Sequence, residues 1–109
     1  MLDENKTVAR KFFEDIYSQG NLDLVDELVA QDYVAHGAGP LAQGREAVKK
    51  SIASKPPDIN VVVEQQVAEG DQVVSRLSFS AGEETWVGVA IQRIVDGKLA
   101  ETWRVTNRG

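Results

Sequence analysis

The sequence predicts an α+β fold on three observations. Apolar residues recur at helical spacing through the first half of the chain. After Pro56-Pro57 the period changes to alternation. Three tight-turn signals, Glu69-Gly70-Asp71, Gly82-Glu83-Glu84 and Asp96-Gly97, then divide the second half into a strand meander. An antiparallel sheet with helices on one face buries its inward residues against them. If its long strands curl, they enclose a cone-shaped pocket between sheet and helices.

The first helix spans Leu2 to Gly20, with Val8, Phe12, Phe13, Ile16 and Tyr17 at helical spacing between charged residues. Asp3, Asn5 or Thr7 can cap its start, and Gly20 is placed to end it in a left-handed conformation. Asn21 is expected to cap a short second helix through Leu22, Val25, Leu28 and Val29. Tyr33 to His36 reads as a brief extended piece, and Gly37 to Gly44 as a loop. A third helix runs from about Gly44 to Ser54 with Ala47, Val48 and Ile52 on one side, and Pro56-Pro57 stops it.

Beyond that point Ile59, Val61, Val63, Gln65 and Val67 form one face of a long strand. Val73, Ser75, Leu77 and Phe79 alternate on a second, and Thr85 to Val95 make a third, in which Gly88 fits a bend or bulge. The closing strand, Gly97 to Asn107, puts Leu99, Glu101, Trp103, Val105 and Asn107 on one face. An unpartnered carboxylate in a core costs several kcal/mol. That face therefore reads either as one wall of a ligand cavity or as a strand with Glu101 solvated near its end.

Composition excludes several classes. The chain of 109 residues is expected to form one domain, and its 42% hydrophobic and 27% charged content argues against disorder. A net charge of −5 without a basic cluster argues against nucleic acid as a partner. No run approaches the roughly 18 apolar residues of a membrane span. The acidic start, Asp3-Glu4, is not read as a signal peptide, so the cytoplasm is the expected location. With no cysteine and one histidine, neither a thiolate nucleophile nor a multi-His metal centre is expected.

Tyr17, His36, Glu101, Trp103 and Asn107 are the groups that can share the pocket. His36 carries the side chain whose ordinary pKa lies near neutrality, so it is the first choice for general acid or base. Tyr17 offers a hydroxyl to a substrate oxygen, or is a core tyrosine with a wet tip. Trp86 and Trp103 lie on the two strands joined by Asp96-Gly97 and can form aromatic walls or plain core. Asn107 can orient a carbonyl but cannot act as a base. Arg93 and Arg104 are expected on the outer sheet surface, solvated or paired across a subunit contact. Asp32, Asp71 and Asp96 are read as turn residues. No P-loop, dinucleotide fingerprint or nucleophile elbow is present. Any chemistry would be proton transfer in an apolar cavity, with no cofactor.

The segments YSQGNLDLVDELVAQDYVAHG, GREAVKKSI, VAEGDQVVSRLSFS and IQRIVDGKLAETW, in that order and spacing, resemble the SnoaL-like polyketide cyclase family. That family belongs to the nuclear transport factor 2-like superfamily, and the resemblance covers almost the whole chain. It implies a curved antiparallel or mixed sheet wrapped around the N-terminal helices, an apolar pocket, and a homodimer packed through the sheet. It also implies a hydrophobic ligand, polyketide-, steroid- or terpenoid-like, handled by cofactor-free acid/base chemistry where the protein is a cyclase, isomerase or lyase. His36 matches the histidine that often follows "DYV", and Glu101 and Trp103 match the family's E-x-W. Asn107 stands where cyclase members carry an acid/base aspartate, a departure that favours the alternative of a non-catalytic ligand-binding module. A dimerisation domain is a further alternative. Phe13 falls where ketosteroid isomerases carry a carbonyl-polarising tyrosine, and their loop aspartate falls near Gly37.

Overall fold

The structure of the protein, a computed structural model, describes residues 2–37, 42–55 and 58–107. The expected α+β architecture is present. Helix α1 (Leu2–Lys11) continues directly into a π-helical segment, Phe12–Tyr17, marked by a hydrogen bond from Ser18 N to Phe13 O. This wider turn lets the adjacent Phe12 and Phe13 both be buried, together with Ile16. Gly20 closes the segment at φ 72°, a left-handed conformation that suits glycine.

Helix α2 (Asp23–Leu28) starts one residue later than the Asn21 cap predicts. Leu22 occupies the cap position without a side-chain bond, and Asn21 contributes its carbonyl to Leu24 N instead. Val29, expected at the end of this helix, is the first residue of strand β1 (Val29–His36). That strand is eight residues long, twice the brief piece the sequence suggests. The short β2 (Ala42–Gln43) pairs with it, and helix α3 (Gly44–Ser54) follows with the expected bounds. The predicted Pro56-Pro57 stop, and residues 38–41 of the predicted loop, lie outside the described residues.

Strands β3 (Asn60–Glu69), β4 (Gln72–Ala81), β5 (Glu84–Val95) and β6 (Lys98–Thr106) form the antiparallel meander. The sheet order is β2-β1-β6-β5-β4-β3, and β1 lies parallel to β6, so the sheet is mixed. Helices α1 to α3 and the π-helical segment bury Ala9, Phe12, Phe13, Ile16, Val25, Val48 and Ile52 with the inner residues Val61, Val73, Leu77, Ala90 and Leu99. Burying each large apolar side chain contributes about 1.5–3 kcal/mol.

Two bulges revise the faces read at period two. The β3–β4 register shifts between Val63 and Gln65, which leaves Glu64 as the extra residue. Gln65 and Val67 therefore turn outward, and Val67 is 59% exposed. The β5–β6 register shifts between the pairs Ile94–Leu99 and Arg93–Glu101, which makes Ala100 the extra residue. From there Thr102 turns inward and is buried, whereas Val105 on the opposite parity is 75% exposed. Gly88, expected at a bend or bulge, pairs in unbroken register with Leu77 and Thr106. Its role is close approach: an added Cβ would lie 2.9 Å from Val105 O and 3.0 Å from Phe79 Cε1.

The edge strand β3 is covered by side chains of the first helix. Glu14 accepts a hydrogen bond from Val63 N at 2.9 Å, and Arg10 donates to Val63 O at 3.2 Å. One turn on, Ser18 Oγ accepts from Val61 N. Residues four apart lie on one helix stripe, so one row of side chains satisfies a strand edge that would otherwise stand open.

Candidate functional site

A cavity of about 200 Å³ lies between the π-helical segment, α3 and the inner faces of β1 and β6. Its apolar wall comes from Phe12 and Phe13, which meet edge-to-face at 5.1 Å, and from Ala35, Ala47, Val48 and Ile52. Its polar lining is Tyr17, Ser51, Thr102 and Arg104, with Tyr33 beside them.

These polar groups follow from the register. Strand β1 turns Tyr33 and Ala35 inward, and the Ala100 bulge brings Thr102 and Arg104 to the same side. The Arg104 guanidinium carbon stands 5.9 Å from the Tyr17 ring centroid, within cation–π range. Tyr33 is 2% exposed, and burial pushes its hydroxyl up to about 12, offset in part by Thr102 and Arg104. Behind Thr102, Gln92 is fully buried and donates to Thr102 Oγ1 at 3.3 Å, while its own Oε1 has no partner among the described residues.

The sequence-predicted residues separate into three groups. Phe13 and Tyr17 line the cavity, as does His36 at its edge. The His36 imidazole, however, stacks on Trp103 with centroids 5.2 Å apart and 5° between planes. Its Nε2 lies 2.7 Å from Glu101 Oε2, and Glu101 Oε1 accepts from Arg93 Nε at 3.3 Å. Glu101 and Trp103 thus project from the opposite face of β6 to Thr102 and Arg104, and neither lines the cavity. The expected common wall of Glu101, Trp103 and Asn107 does not form, because the Ala100 bulge inverts the parity after Leu99. The His36 hydrogen bond, followed by Arg93, holds the Glu101 carboxyl below the usual carboxylate range.

Trp86 and Asn107 form the third group, at another end of the sheet. Trp86 stacks on Phe79 at 5.4 Å, and both border a second depression together with Asn60, Thr85 and Asn107. Asn107 Oδ1 accepts from Val87 N at 3.0 Å, and Asn107 N donates to Val87 O. Its side chain extends a strand edge. Of the two arginines expected outside, Arg93 is on the outer face as predicted, and Arg104 is not.

Sequence reasoning missed Tyr33, Thr102 and Arg104. The residue that decides the placement of Thr102 and Arg104, Ala100, carries no signal: alanine is compatible with a regular strand and with a bulge alike. No group of three or more His, Asp or Glu side chains able to hold a metal occurs among the described residues. No helix among them is long and apolar enough to cross a membrane.

A family model described as the SnoaL-like domain matches residues 9–102. A candidate ketosteroid isomerase from Kribbella flavida superimposes with a TM-score of 0.89 at 21% identity, over 99% of this chain and 81% of that one. A candidate SnoaL-like polyketide cyclase from Jannaschia sp. gives 0.86 at 18% identity, over 97% and 87%. An LEH-like epoxide hydrolase from M. tuberculosis gives 0.81 at 14% identity, over 97% and 84%. At these identities the likeness carries the fold, and the three proteins are named for different chemistries. Comparison with curated proteins gives no match.

Proposed function

The chain belongs to the SnoaL-like domain family, and on that footing we propose that it binds a small, largely apolar molecule in the cavity beneath α3. The observation that carries this reading is the lining itself, an aromatic and aliphatic wall facing a few convergent polar groups. At about 200 Å³ the space is below the roughly 300–1,000 Å³ of drug-sized sites, so a compact ligand fits it better than a fused polycycle. A panel of small cyclic ketones, phenols and organic acids tests it by melting temperature. A ligand at about 100 times its dissociation constant adds roughly 2.7 kcal/mol. Ala47→Phe, which fills the cavity, should abolish the response. No response in the parent protein, or an equal response in the filled variant, would refute the reading.

A second reading, proton transfer on the bound molecule, is favoured by the 2.7 Å contact between His36 and Glu101. A carboxylate on one ring nitrogen fixes the tautomer and leaves the other nitrogen to exchange a proton. His36→Gln should then abolish turnover of a converted ligand while leaving its affinity within a few-fold. Unchanged turnover would remove His36 from the chemistry. We further place the exposed apolar face of the sheet at a contact between two copies, and the protein in the cytoplasm.

A further inference from the structure

We infer that the cavity is a carboxylate site, in which Arg104 takes the acid group of a small organic acid with a single ring or short branched chain. The inference rests on the cavity being a ligand site and names the ligand's chemistry. Arg10 reaches Glu14 and Val63 O, Arg45 reaches Val29 O, Arg76 reaches Gln65 Oε1, and Arg93 reaches Glu101. Arg104 has no oxygen acceptor among the described residues; its contact is the face of the Tyr17 ring. A guanidinium stays charged at any ordinary pH and carries five N–H donors in a planar fork.

The other polar lining groups are the hydroxyls of Tyr17, Tyr33, Ser51 and Thr102 and, at the edge, the His36 imidazole, which is engaged with Glu101; among the described residues no carboxylate lines the cavity. The site therefore offers hydrogen-bond donors and one uncompensated positive charge between low-dielectric walls, which concentrates an anion's field there. The guanidinium carbon lies over the Tyr17 ring, a contact that uses no oxygen acceptor, and the guanidinium fork can take an acid group bidentately. Size limits the rest of the molecule. A cavity of about 150 Å³ holds benzene, and drug-sized ligands begin near 300 Å³. About 200 Å³ accommodates one ring with a carboxylate attached.

Benzoate and benzamide, equal in shape and different in charge, test the inference by calorimetry at neutral pH. Benzoate should bind the parent protein at least about tenfold more tightly, the scale of a charge-assisted pair of hydrogen bonds. Arg104→Gln should erase that preference while benzamide affinity stays within a few-fold, and Arg104→Lys should retain part of it. Equal binding of the two probes to the parent protein overturns the carboxylate assignment and leaves the cavity reading standing. A benzoate preference that survives in Arg104→Gln also overturns it. Failure of both probes to bind overturns both. If Arg104→Gln does not fold, the parent protein and Arg104→Lys still decide the matter.

Discussion

His36 Nε2 stands 2.7 Å from Glu101 Oε2 across the parallel β1–β6 pair, where Val34 is the backbone partner of Glu101 and His36 that of Trp103. The contact ties the end of β1 to the bulged part of β6, which carries Thr102 and Arg104 into the cavity on its other face. The carboxylate is shared between His36 and Arg93, so its ionised form is favoured in the folded state.

That preference gives a pH dependence of definite sign. The folded-state pKa of Glu101 lies below its ordinary value of about 4.5, and the unfolded chain therefore takes up the proton first as pH falls. The stabilisation is fully present above the ordinary value and is lost as pH falls through the folded one. Melting temperatures measured from about pH 6 down to pH 3 should fall more steeply for the parent protein than for Glu101→Gln. Parallel slopes would show that the carboxylate is not held by its partners in solution.

Tyr33 gives the opposite limb. Burial raises its hydroxyl from 10.0 to about 12, so on alkaline titration the unfolded chain ionises it first. Stability from this group is complete below about pH 10 and declines as pH rises toward 12. Ultraviolet titration should show one tyrosine ionising near 12, and Tyr33→Phe should remove that transition. A variant that retained it would assign the high-pH step elsewhere.

The clamp on the sheet edge has its own test. Glu14→Ala leaves Val63 N–H without its acceptor in a partly buried setting, which costs about 1–3 kcal/mol. Glu14→Gln keeps an acceptor oxygen and should recover most of that loss. The paired Arg10 is 46% exposed, so the ion pair itself contributes little. Urea midpoints for the two variants measure the difference. Equal losses would shift the credit from the hydrogen bond to the charge.

The fold was legible because its signals are repeated. Helical spacing through Val8, Phe12 and Ile16, alternation through Val73, Ser75, Leu77 and Phe79, and the three turns all report the same architecture, so no single residue decides it. The site was legible only in part. Phe13 and Tyr17 lie on the first helical stretch, where no strand parity enters, and line the cavity, and His36 reaches its edge from the end of β1. Everything assigned through the parity of β6 turned over at Ala100. A bulge is set by tertiary pairing, here the joint fit of Leu99 to Ile94 and of Glu101 to Arg93, and one strand's sequence does not encode it. Glu14 and Ser18 were unreadable for a related reason: which helix residues face an open strand edge depends on where β3 comes to lie.

The outer sheet face yields the last prediction. Val67, Val74, Val87, Val89, Ile91 and Val105 are exposed there at 37% to 75%, on neighbouring strands in which Val74 pairs with Ile91 and Val89 with Val105. Monomers rarely expose a contiguous apolar surface of this kind, and a second copy covers it most simply. Val89→Lys places a charge at the centre of that face, where burying it unpaired would cost several kcal/mol, while a free surface accepts it within about 0.5 kcal/mol. Sedimentation of the parent protein should give twice the chain mass of 11.9 kDa, and Val89→Lys should give the single chain with its circular dichroism unchanged. A parent protein that sediments as one chain at all concentrations would leave this face open to solvent.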